Sequence, residues 1–107
     1  MAVYDFRQYT LKPGATPDYM AAVRELALPI RQKYGIKLAG WYYSEVGELN
    51  QVVHIWAYQD YDHLKEGKAK VAADPDWSQK YVPRVHGLIV AQKTYLMLSP
   101  DFAPQPF

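Results

Sequence analysis

Residues 50–58 read Asn-Gln-Val-Val-His-Ile-Trp-Ala-Tyr, and their alternation decides the fold. Side chains on a strand point to opposite faces with a period of two, so Val52, His54, Trp56 and Tyr58 share one face while Val53, Ile55 and Ala57 share the other. Neither face suits water. A strand apolar on both sides belongs inside a sheet that is covered on both sides. Helices can supply one cover, and a second copy of the chain stacked in a two-fold dimer supplies the other. Alternation does not say which face meets the helices.

Upstream, Lys37 to Glu45 is a second strand-like run, separated from this one by Val46-Gly47-Glu48-Leu49, a length and composition that suit a hairpin. Val3 to Leu11 alternates as a first strand, and Lys12-Pro13-Gly14 ends it in a turn. Thr16-Pro17-Asp18 predicts a helix start, with Thr16 as N-cap, proline in the first turn and a carboxylate near the positive end of the dipole. Tyr19, Val23, Leu26, Ile30 and Tyr34 then fall at intervals of three and four, forming one apolar stripe that Gly35 closes. Pro29 lies inside it and predicts a kink or break near residues 25–28.

Downstream, Asp60 or Asp62 caps a helix from about His63 to Ala73, and Asp74-Pro75 starts a further helical turn through Trp77 and Tyr81 that Pro83 and Gly87 close. Leu88 to Leu98 reads as a fourth strand. The order β-α-β-β-α-β predicts an α+β, ferredoxin-like protomer with two helices on one face of a four-stranded antiparallel sheet. Residues 99–107 carry three prolines and form a tail, either loose or laid as an arm across a neighbouring subunit through Phe102 and Phe107.

Composition narrows the chemistry. With 107 residues the chain makes one domain; half are hydrophobic, 21% are charged and the formal net charge is +1, an ordinary globular balance. Nucleic acid is not an expected partner, because there is no basic stripe: Lys65, Lys68 and Lys70 read as a solvated helix face. No run approaches the ~20 apolar residues of a membrane span, and the N-terminal segment lacks a signal-peptide core, so a cytoplasmic location is expected. The absence of cysteine removes thiolate chemistry; the three histidines have no zinc spacing, no metal site is expected, and no phosphate-loop, dinucleotide or Gly-x-Ser-x-Gly motif occurs.

His54 is the candidate catalytic residue. An imidazole in a central strand can serve as general base near neutral pH or as an axial haem ligand, and equally as a buried histidine satisfied by one hydrogen bond or as an interface histidine. His63 and His86 are expected to face solvent. Ten Tyr and three Trp cluster at residues 41–43, 56–58 and 77–81, surroundings that suit a planar ligand and also an ordinary core. The expected ligand-binding set is Arg7, Tyr42, His54, Trp56, Tyr58, Trp77 and Tyr81, with Arg7 either anchoring a carboxylate or pairing within the sheet beside Asp5 and Tyr9.

Three segments carry a family resemblance: Tyr4 to Gly14 (YDFRQYTLKPG), Gly47 to His63 (GELNQVVHIWAYQDYDH) and Ala72 to Gln92 (AADPDWSQKYVPRVHGLIVAQ). Through them the chain resembles NIPSNAP proteins of the dimeric α+β barrel superfamily over nearly its whole length. The resemblance implies a ferredoxin-like homodimer and, in related groups of that superfamily, a small cavity used for cofactor-free oxygenation, haem chemistry or isomerisation. It supplies no set of catalytic residues. The expected function is a small-molecule-binding or cofactor-independent monooxygenase-like domain with an aromatic pocket, holding no cofactor, in which His54 assists proton removal from a small aromatic substrate. The rival is a non-catalytic homodimeric association or stress-response module.

Overall fold

A computed structural model describes residues 1–107. The elements run β1 (Val3–Leu11), α1 (Thr16–Ala22), a π-helical turn (Val23–Ala27), α2 (Leu28–Lys33), β2 (Lys37–Tyr43), β3 (Gln51–Tyr58), α3 (Tyr61–Ala73), a second π-helical turn (Trp77–Tyr81), α4 (Val82–Val85) and β4 (Ile89–Leu98). The strands form one antiparallel sheet in the order β2-β3-β1-β4, the ferredoxin-like arrangement expected. β3 pairs with both β1 and β2 and so lies in the interior of the sheet.

The register resolves which face meets the helices. Val52, His54, Trp56 and Tyr58 are buried, and so are Val3, Asp5, Tyr9 and Leu11, which pair along the same face of β1. One half of the core gathers Tyr9, Leu11, Tyr19, Ala22, Val23, Ala27, Val52, Tyr81 and Val85; the other gathers Ile30, Ile36, Trp56, Tyr58 and Val71. The opposite face carries Tyr4, Phe6, Val53, Ile55, Tyr42, Tyr95 and Met97 and has no helix on it; Phe6 and Tyr95 pack ring to ring there at 6.0 Å.

Both prolines expected to disturb helices do so in the same way. Each π-helical turn ends one residue before an X-Pro pair, Leu28-Pro29 and Val82-Pro83. A proline within a helix has no N–H for the carbonyl four residues back, and its ring clashes with that carbonyl. Widening the preceding turn by one residue relieves the clash without ending the helix. Pro83 therefore does not close its helix as the sequence predicts: α4 continues through it to Val85.

Other boundaries shift for local reasons. Ala15, not Thr16, occupies the first N-cap and makes no side-chain bond, so Thr16 and Pro17 are the opening helical residues. Asp60 caps α3 by accepting from the His63 backbone N–H at 2.7 Å. β2 ends at Tyr43, two residues early, and the connection to β3 is longer than the four residues expected, because Asn50 adopts a left-handed φ of 61° and turns its side chain to accept from Gly14 N–H at 3.1 Å. Gly35 closes α2 as expected: its φ is +74°, its N–H bonds Gln32 O, and Ile36 N–H bonds Arg31 O, the paired bonds of a Schellman motif.

His63 is not simply solvent-facing. Its Nδ1 accepts from Gln59 N–H at 2.9 Å and its Nε2 lies 2.9 Å from Tyr34 O, which fixes Nε2–H as the donor and ties the start of α3 to the end of α2. The tail lies across one end of the chain's own uncovered sheet face. Ser99 bonds the Tyr4 hydroxyl, Lys37 Nζ donates to Pro106 O at 2.7 Å, and Phe107 reaches His63 at 6.3 Å between ring centres. Phe102 projects from it, exposed.

Candidate functional site

A cavity of about 560 Å³ opens between the sheet and the second helical layer, the stretch from Trp77 to His86. β1 contributes Arg7 and Tyr9, β3 contributes His54, and residues 89–92 of β4 form one rim. Tyr19 and Arg31 enter from the first helical stretch; Trp77, Tyr81, Val82, Val85 and His86 close the remaining wall. The cavity exists because the helices cover β3 and β1 while β4 stays open: Val90, Leu96 and Leu98 are all more than half exposed. A smaller space of about 190 Å³ adjoins it, lined by Arg7, Arg31, Tyr58, Lys68, Val71, Ala72 and Trp77.

Of the seven residues expected to bind a ligand, the main cavity brings together Arg7, His54, Trp77 and Tyr81. Trp77 and Tyr81 stack with ring centres 4.5 Å apart on the second π-helical turn. Trp56 is 1% exposed and forms the floor beneath Arg31, whereas Tyr58 lines the smaller space. Tyr42 does not belong. It pairs with Val53 on the uncovered sheet face, is 60% exposed, and its ring folds over Gly40, where no Cβ holds it away.

His54 has the geometry of the buried, singly bonded histidine. Its Nδ1 accepts from Trp56 Nε1–H at 2.7 Å, so in the neutral ring the proton sits on Nε2. Trp41 stacks on one side at 5.8 Å and Tyr9 meets the ring edge-on at 4.9 Å. Nε2 is buried without a partner. Burial, reinforced by the charges of Arg31 and Arg7, pushes its pKa down to about 3, so the ring is neutral near pH 7. A protonated, enclosed Nε2 is poorly placed to take a proton from a substrate, and it leaves no approach for haem iron; the donor set does not fit a haem.

Arg7 donates from Nε to Asp5 Oδ2 at 2.9 Å and from Nη1 to the Tyr9 hydroxyl at 2.7 Å. Burial opposes its charge, but Tyr9 and Asp5 outweigh that and hold it above the ordinary guanidinium range. Asp5 is itself buried, with Lys68 Nζ 4.0 Å away and Oδ1 without a partner. Thus the sheet pairing and the cavity-facing position expected as alternatives for Arg7 coexist.

Tyr9, Tyr19, Arg31 and His86 complete the wall and were not among the expected residues. Arg31 is the most consequential. Its guanidinium carbon lies 4.2 Å from the Trp56 ring centre and 5.1 Å from that of Trp77, a cation between two indoles. Burial pushes its pKa down, yet a guanidinium keeps its proton at any ordinary pH. Tyr19, by contrast, is raised by burial and by the neighbouring Tyr81 hydroxyl, and Tyr81 is raised by burial, so both stay neutral near pH 7. No group of three or more His, Asp or Glu side chains comes together in the fold.

A four-stranded antiparallel sheet with helices on one face and a cavity between the layers defines a ferredoxin-like α+β domain. Residues 4–104 match the NIPSNAP family model, and the chain belongs to the NIPSNAP family. A NIPSNAP family protein of unknown function from Agrobacterium tumefaciens superposes with a TM-score of 0.87 at 34% identity, over 96% of this chain and 92% of that one. Human NipSnap homolog 3A is 29% identical over 88% of this chain, which spans only 39% of that relative's length. SnoaB, a cofactor-independent oxygenase from Streptomyces nogalater, shares the fold at 15% identity and a TM-score of 0.66, over 97% of this chain and 98% of its own. No helix is long and apolar enough to cross a membrane.

Proposed function

We propose that this chain is a homodimeric small-molecule-binding protein whose ligand enters the cavity between β1, β4 and the second helical layer. The observation that carries the reading is the cavity itself: it has the size of a small-molecule site and an aromatic wall interrupted by a few fixed polar groups, the usual makeup of such sites. Cofactor-independent oxygenation by His54 is the less favoured form of this reading, because the Trp56 N–H occupies the only ring lone pair that could accept a proton. His54 instead fixes the floor of the site.

The dimer rests on the uncovered sheet face. Tyr42, Tyr95 and Met97 are all more than 40% exposed there, beside the half-buried Phe6, Val53 and Ile55, and a contiguous apolar face of this kind calls for a partner. A second copy meets the same face with the same residues, which is the self-complementary geometry of a two-fold interface. The association-module rival uses this face but gives no role to the cavity.

Native mass spectrometry tests both parts. The expected spectrum is a dimer that gains a reproducible small mass when incubated with cell extract metabolites, and Phe6→Asp, which places a charge at the centre of the open face, shifts it to monomer. A wild-type monomer at micromolar concentration overturns the dimer; a dimer that never retains a small molecule favours the association module.

A further inference from the structure

Arg31 is 9% exposed and has no anionic neighbour. The ion pairs of the chain engage Arg7, Lys33, Lys68, Lys80 and Arg84, not Arg31, and its Nε is buried without a partner. Two indole faces stabilise the cation but supply no countercharge. Holding a guanidinium out of water without a carboxylate is costly, so the fold carries here a charge that its own packing does not neutralise.

The surroundings say what would neutralise it. No Asp or Glu lines the main cavity, and Arg7 reaches the same space with Nη2 left uncommitted after Nε and Nη1 bind Asp5 and Tyr9. Within the main cavity Asp5 offsets Arg7, while Lys68, which shares Asp5, is half-exposed on the adjoining space, so the cavity wall itself carries one excess positive charge, which matches a monoanion better than a phosphate dianion. A planar guanidinium binds a carboxylate through two parallel hydrogen bonds. Beyond the arginines, His54, His86 and Gln92, the wall is flat or aliphatic, with Tyr19, Trp77 and Tyr81 as its broad surfaces.

We infer that the ligand is a carboxylate-bearing molecule with a flat apolar body, its carboxylate seated on Arg31 with Arg7 beside it and its body against Trp77 and Tyr81. The inference rests on the small-molecule reading above and adds the ligand's charge and orientation to it. Arg31 is thereby a binding residue and not a packing element.

Isothermal titration calorimetry of the full chain with 2-naphthoate and its neutral match 2-naphthamide reads the charge preference without any substitution. The carboxylate is expected to bind at least about tenfold more tightly, the advantage of a charge-assisted over a neutral hydrogen bond. Arg31→Met is expected to abolish that preference while keeping the thermal midpoint at or above wild type, since methionine fills the same slot without a charge to bury. Arg31→Lys, charged but without the fork, falls between. Equal affinity of wild type for both compounds overturns the carboxylate inference and leaves the pocket reading standing. Binding of neither overturns both, and a carboxylate preference that persists in Arg31→Met moves the anion site away from Arg31.

Discussion

At the residue scale, the pair His54 and Trp56 links burial to pH. An unfolded histidine titrates near 6.5, and in the folded chain the value falls to about 3 because burial, Arg31 and Arg7 all disfavour the imidazolium. Between those values the unfolded chain binds a proton that the folded chain refuses, so stability is full above pH 6.5 and declines as pH falls toward 3. A tenfold difference in proton affinity corresponds to about 1.4 kcal/mol, which makes the loss at pH 4 a matter of a few kcal/mol at most. Urea unfolding at pH 7 and pH 4.5 is expected to show this loss in wild type and a smaller one in His54→Gln. The double difference isolates His54 from Asp74, whose own pKa is lowered by Lys33 and Tyr34 and whose contribution is also lost in acid. Identical pH dependence in the two proteins contradicts the assignment.

The same scale shows what the sequence hides. His54, Trp77 and Tyr81 are legible as cavity-lining residues because strand alternation and helical spacing place them, and Arg7 because it alternates with Asp5 and Tyr9. Arg31 is not legible. It follows Ile30 in what reads as the polar flank of an amphipathic stripe, where arginine is ordinarily solvated. The π-helical turn at Val23–Ala27 inserts an extra residue before it and rotates the flank inward, between Trp56 and Trp77. Tyr42 errs the other way: an aromatic beside Trp41 looks like a pocket residue, but one step along a strand reverses its face.

At the element scale, the end of α2 is a joint between two helices. Gly35 supplies the left-handed C′ position, and His63 from α3 reaches back to Tyr34 O beside it. A Cβ at Gly35 meets His63 Nε2 at 3.4 Å, whereas one at Gly14, also left-handed at φ +80°, meets nothing within 4 Å. Gly14→Ala therefore measures the conformational penalty alone, about 1–2 kcal/mol. Gly35→Ala is expected to cost more by urea denaturation, because it also disturbs the His63 bond. Equal losses would show that His63 contributes nothing to the joint. The glycine stop was legible in the sequence, but the histidine was not, since its partners at Gln59 and Tyr34 come from separate elements.

At the scale of the whole molecule, the two sheet faces divide the work. One packs helices and encloses the cavity; the other, partly crossed by the tail, is the face on which we propose that a second copy packs. The double-sided apolar character of β3 made this architecture readable, because only a strand covered on both sides tolerates it. A pocket was expected, but its opening beside β4 was not readable, since that depends on how far the helices stop short of β4, a matter of packing between distant segments. The most direct test of a ligand in that cavity follows the indole N–H resonances of Trp41, Trp56 and Trp77 by NMR while 2-naphthoate is added. The Trp77 resonance is expected to move and saturate, with the backbone amides of residues 89–92 moving alongside it and those of Tyr42 and Val53 on the far face staying fixed. Shifts confined to the far face, or none at all, would contradict a ligand site between the helices and the sheet.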